Sequence, residues 1–204
     1  MNNEFKIPAS PVRASETIKK SRFIATVQRA SSIKEAKIFI EKIKKEFPDA
    51  SHNCWAYQTG EPKSSAFVGM SDDGEPRSTA GKPMLTVLIN SGIGEIAAVV
   101  TRYFGGVKLG TGGLIRAYSG VLQRALANLK TKKKIITADI TFTAKYNDIT
   151  SVKHILKIFK AETIKEIYKE NVLFKVLVRK DKAEKFKTAI TDTLNYKPDF
   201  TLKS

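Results

Sequence analysis

Apolar positions along the chain recur at two spacings, near two residues and near 3.6, and the switches between them outline the elements. Residues 22–27 carry a strand pattern. Ser32 and Glu35 then form a capping box ahead of Ala36, Phe39, Ile40, Ile43 and Phe47, which share one helical face. Strands are predicted at 51–58 and 65–70. Asp72-Asp73-Gly74-Glu75-Pro76 reads as a turn, and Pro83 sits in the first turn of a short helix carrying Met84, Leu85 and Leu88. Residues 96–104 are apolar almost throughout, as in a strand buried on both faces. A glycine-rich loop leads from there into a helix with Leu114, Ala117, Val121, Leu122, Ala125 and Leu129 inside.

Lys-Thr-Lys-Lys-Lys at 130–134 reads as a charged linker, dividing the chain into domains 1–130 and 131–204. Beyond it, 135–144 alternates as a strand, and Asp148 caps a helix burying Val152, Ile155, Leu156 and Phe159. Strands at 163–168 and 172–178 turn around Glu170-Asn171. Asp181 with Glu184 forms a capping box before Phe186, Ala189, Ile190 and Leu194, and residues 200–202 close as a strand. The order is βαββαβ, the ferredoxin-like motif, so the fold class is α+β with two domains.

Composition narrows the function classes. No apolar run reaches the length of a membrane span, residues 1–11 lack the apolar core of a secretory signal, and the single cysteine, Cys54, fits a reducing compartment. The expected location is the cytoplasm, with no membrane partner. A net charge of +16 favours a polyanionic partner. Seven of the eight arginines precede residue 130, so recognition of a particular anion belongs to the first domain.

Five glycines, Gly105, Gly106, Gly110, Gly112 and Gly113, lie between a buried strand and a helix N-terminus, with Arg102, Lys108 and Arg116 around them. Backbone N–H groups and a helix dipole of about half a positive charge suit such a loop to a phosphate. The spacing matches neither a Walker A loop nor a dinucleotide fingerprint. Asp72, Asp73 and Glu75 are turn carboxylates, an acidic partner for Arg102 or Arg77, or ligands for Mg²⁺. His52 and Cys54 share one strand face, as a nucleophile pair or as packing residues. Trp55, Tyr57, Tyr103, Phe104 and Tyr118 are either core or platforms for unpaired bases.

Four segments together resemble the YigZ/IMPACT family: Lys20-Ser21-Arg22-Phe23-Ile24, residues 52–57, residues 72–76 with 79–85, and residues 94–118. Ser78 and Ser119 stand where that family usually has glycine. The resemblance implies a first domain with the β-α sandwich of elongation factor G domain four and the GHMP kinase N-terminal fold. It implies a second domain similar to elongation factor G domain five. The function it leads to is that of a non-enzymatic RNA- or ribosome-binding protein linked to regulation of translation, without a cofactor. A translation-related protein is a further expected partner. The alternatives are an enzyme holding a nucleotide or small phosphorylated substrate with Mg²⁺, and a protein-binding adaptor.

Overall fold

The computed structural model describes residues 3–62, 67–196 and 198–203. The chain divides into two compact units, Phe5–Lys134 and Ile135–Ser204 with Met1–Glu4. The first unit begins with strands β1 (Glu4–Pro8), β2 (Val12–Ile18) and β3 (Ser21–Arg29), then helix α1 (Ile33–Glu46), β4 (His52–Gln58) and β5 (Val68–Ser71). Helix α2 (Gly81–Asn90), β6 (Ile96–Tyr103), α3 (Thr111–Ala127) and β7 (Thr131–Ile135) follow. Five antiparallel strands form its sheet in the order β2-β3-β6-β4-β5.

Register explains why residues 96–104 read as a nearly continuous apolar run. Ala98, Val100 and Arg102 of β6 share rows with Val27, Ala25 and Phe23 of β3 and with Ala56, Cys54 and His52 of β4. Met84 and Leu88 of α2 and Leu114, Tyr118 and Val121 of α3 pack on this face. Ala97 and Val99 point to the other face, where Ala36, Phe39, Ile40 and Ile43 of α1 cover them. With helices on both sides, alternation disappears from β6. Each large aliphatic or aromatic side chain buried this way contributes about 1.5–3 kcal/mol.

Local signals hold with small shifts. Ser32 Oγ accepts from Glu35 N at 3.2 Å, while the Glu35 carboxylate returns to the N–H and hydroxyl of Ser31, one residue earlier than a capping box requires. In the strand expected at 65–70, residues 65 and 66 lie outside the described residues. Strands β1 and β2 were not foreseen, because Val-Arg-Ala-Ser-Glu-Thr-Ile alternates with few apolar residues, as a half-buried edge strand does. The charged run at 130–134 is not a linker. Residues 131–134 lie in β7, which pairs with β1, and Ala9 N donates to the carbonyl of the preceding Lys130 at 2.9 Å.

The second unit comprises β8 (Thr137–Ala144), α4 (Ile149–Phe159), β9 (Glu162–Tyr168), β10 (Val172–Arg179), α5 (Ala183–Leu194) and β11 (Thr201–Lys203). Its sheet order, β11-β8-β10-β9, is that of the ferredoxin-like motif. Alternate residues of β10 are buried beneath α4 and α5, with Phe142 stacked on Phe174 and edge-on to Phe186. The two expected caps differ. Asp148 precedes α4 but its carboxylate accepts from Tyr196, and Asp181 pairs with Arg179 in a short helical turn before α5.

Candidate functional site

Strand β6 ends at Tyr103, and the glycine-rich loop reaches α3 through Gly110, whose φ of 73° breaks the backbone direction ahead of the helix. Leu114 N closes the first helical bond on the Gly110 carbonyl, so the N–H groups of Thr111, Gly112 and Gly113 lie ahead of the ladder, and no side chain caps them. The guanidinium of Arg116 folds back toward this turn, its Nη1 3.7 Å from the position a Cβ on Gly112 would take. Gly113 is demanded by packing, since a Cβ there would lie 2.9 Å from Leu109 Cβ. Lys108 and Arg116 are exposed, and neither pairs with a carboxylate among the described residues. Gly106 (φ 82°) supplies a left-handed turn with open space around it.

Two of the expected phosphate contacts are structural instead. Gly105 N donates to Ser21 Oγ at 3.1 Å, and a Cβ on Gly105 would lie 2.0 Å from the Lys20 carbonyl carbon. Only glycine lets the loop approach the β2–β3 turn that closely. Arg102 is buried at 5% exposure and ion-paired with Glu75, so its fork is not presented to solvent.

Glu75 is therefore the acidic partner. Its Oε1 accepts from Arg102 Nη1 at 2.6 Å and from the Tyr118 hydroxyl at 2.8 Å, while His52 Nε2 stands 3.9 Å away. Arg102 Nη2 reaches Ser21 Oγ at 3.4 Å, and its Nε has no hydrogen-bond partner among the described residues. The guanidinium lies over the rings of both Phe23 and Phe104, 5.5 and 5.4 Å from their centroids.

The Mg²⁺ arrangement does not form, because the three carboxylates serve different protein donors. Asp72 accepts from Ser78 N, Ala80 N and Gly81 N at 2.8–3.0 Å, holding the start of α2. Burial works to raise its carboxyl, and the N–H groups of Ser78, Gly81 and Ala80 outweigh that and lower it. Asp73 takes Lys44 at 2.8 Å and Asn53 N at 2.7 Å. Among the described residues no three His, Cys, Asp or Glu side chains converge as a metal site.

His52 and Cys54 do share a sheet face, but each is engaged elsewhere. The Cys54 thiol donates to the Asp72 carbonyl at 2.9 Å and contacts the Tyr118 hydroxyl at 3.3 Å, and His52 Nδ1 lies 2.9 Å from the Asp73 carbonyl oxygen. Burial first, with nearby carboxylates adding to it, pushes the Cys54 thiol far up, so it stays protonated at neutral pH.

Sequence reasoning missed Ser21, which joins the loop to the Arg102 network, and the Lys19-Lys20 turn, where both residues have positive φ (46° and 67°). Two lysines carry no turn signal of the Asn-Gly kind, and with β2 itself too weakly patterned to read, no hairpin marked the turn. Ser78 has a φ of 62°, the conformation that a glycine at this position would adopt without strain. A groove of about 910 Å³ runs along α2 and α3, with Lys82 the one charged residue among the described residues that line it.

Residues 19–126 match the Impact N-terminal domain, and residues 137–195 match the domain of unknown function DUF1949. The chain belongs to the IMPACT family. It is 43% identical to IMPACT family member YigZ of Escherichia coli K12 over 91% of either chain. It is 40% identical to IMPACT family member YvyE of Bacillus subtilis 168 over 89% of this chain and 83% of that one. A crystal structure described as that of an hypothetical protein shares the fold, with a TM-score of 0.79 at 39% identity, covering 100% of this chain and 99% of the other. The Impact N-terminal match spans Lys108, Gly110, Gly112, Gly113 and Arg116 together with the buried Arg102–Glu75 pair. No helix among the described residues is long and apolar enough to cross a membrane.

Proposed function

We propose that this IMPACT family protein binds RNA, free or within the ribosome, and acts in the regulation of translation. One observation carries the reading: the uncapped first turn of α3, open at Gly112 and Gly113, has the Arg116 guanidinium folded beside it, and among the described residues no carboxylate pairs with that guanidinium. Partial positive charge from the helix end and a full charge from Arg116 converge on one spot, the arrangement that holds a phosphate oxygen. Lys108 and Gly110 extend it along the loop, and the net charge of +16 supplies long-range attraction. Within the second unit, Lys157, Lys160 and Lys185 are exposed point charges for non-specific contact. Lys153 and Lys187 are paired with Glu166 and Glu184. The phosphate reading is preferred to the Mg²⁺-dependent enzyme because Asp72, Asp73 and Glu75 are occupied by protein donors.

The test is fluorescence anisotropy with single-stranded RNA over a salt series, with ribosome co-sedimentation in parallel. Binding should weaken steeply with salt, and Lys108→Gln with Arg116→Gln should reduce the slope of log affinity against log salt by about 0.7 per contact removed. Absence of binding to RNA and ribosomes at low salt would discard the reading in favour of a protein-binding adaptor.

A further inference from the structure

We propose that Phe104 is a stacking platform for an unpaired base, so that the basic face around the glycine-rich loop selects single-stranded over duplex RNA. This rests on the reading that the loop holds RNA phosphates and adds what lies between them. Of the aromatic residues near the loop, Trp55 and Tyr57 stack on each other at 5.6 Å, Tyr118 is fully buried and Tyr103 donates to Asp49. Phe104 differs, with half of its surface exposed.

The ring is held without being buried. Arg102 lies against it at 5.4 Å, itself anchored by Glu75 and backed by Phe23. Phe104 N donates to Ser51 Oγ at 3.0 Å and Gly105 N to Ser21 Oγ at 3.1 Å, so the backbone is fixed on both sides. A single exposed apolar side chain is ordinary on a protein surface; a ring backed by a guanidinium and carried on a fixed backbone is the arrangement that stacks bases at low entropic cost.

An adjoining turn is built at a cost. Lys19 and Lys20 occupy the two positive-φ positions of a tight hairpin turn where Asn-Gly would be unstrained, and this turn abuts Gly105. The Lys20 backbone of this turn lies against Gly105, the residue that follows Phe104, and neither lysine pairs with a carboxylate among the described residues. On this proposal the exposed Lys19, Lys20 and Lys108 take the phosphates that flank the stacked base.

The experiment compares Phe104→Leu and Phe104→Trp with the native protein, by anisotropy, on three labelled probes: a short oligouridylate, an abasic ribose-phosphate strand of equal length, and an RNA duplex. Phe104→Leu should weaken oligouridylate binding at least about fivefold, the lower end of a base–aromatic stack, with the abasic strand, the duplex and the salt slope unchanged. Phe104→Trp should retain the native affinity. Equal binding of oligouridylate by Phe104→Leu and native protein overturns the stacking role alone and leaves the ring to a protein partner. A parallel loss on the abasic strand overturns it too, because the ring would then be supporting the loop. If the native protein binds neither strand, the phosphate reading falls with it.

Discussion

Arg102 of β6 and Glu75 of the 72–78 loop meet at 2.6 Å with both side chains almost free of solvent, a charge pair set into an apolar core beneath α3. Removing one partner strands the other charge. Glu75→Gln or Arg102→Met should each cost about 3–5 kcal/mol in urea denaturation. The double replacement should cost clearly less than the sum of the two, since neither charge is then left alone. Additive losses would show that the two groups do not act as a pair.

Glycines 105 and 106 are adjacent and should fail for different reasons. Gly105→Ala drives a methyl into the Lys20 backbone, whereas Gly106→Ala meets nothing within 4 Å and suffers only from its φ of 82°. The first should lose more than about 2 kcal/mol, because main chain must shift, and the second about 1 kcal/mol. Comparison of the two denaturation midpoints decides it.

Asp72 ties acid sensitivity to the start of α2. Its folded pKa lies below the ordinary value of 3.8, so the unfolded chain takes up this proton first as pH falls. Its stabilising contribution is complete above that value and disappears as pH drops through the lower folded one. Asp73 is shifted the same way, with burial raising it and Lys44 and Asn53 N prevailing. Urea midpoints measured below about pH 5 should therefore fall with pH in the native protein. Asp72→Asn should be less stable at neutral pH and flatter across the acid window.

Pairing of β7 with β1 holds the backbone of 131–134 in a strand, although its lysine side chains stay largely exposed and composition marks the run as a tryptic site. Limited trypsin should cut there slowly in the full chain. Deletion of residues 1–8 should make this the first cleavage, as pairing of the β7 backbone is lost. Unchanged cleavage rates would mean that the two strands part readily.

Much of the fold was legible because burial and periodicity coincide: β6 is covered on both faces and β10 on one, and each left its own pattern. The edge strands β1 and β2 were not legible, since hydrogen bonding to a neighbour leaves little trace in hydrophobicity. The candidate site was legible only as a composition. Glycine and arginine positions were visible, but Arg102 and Arg116 look alike in sequence, and only the approach of Glu75 from another loop separates a buried anchor from an open contact. Caps were the least reliable signal in the second unit, where Asp148 and Asp181 found partners outside their own helices.

The position of β6 at the middle of its sheet bears on how the chain emerges during synthesis. Both its neighbours, β3 and β4, are made well before it, and each hairpin waits with an open hydrogen-bonding edge until residues 96–103 arrive. Such edges are where nascent chains stick to one another, and long-range pairing of this kind slows folding. By that order the sheet of the first unit can be completed only once β6 has been made, and β7, made later still, pairs back to β1.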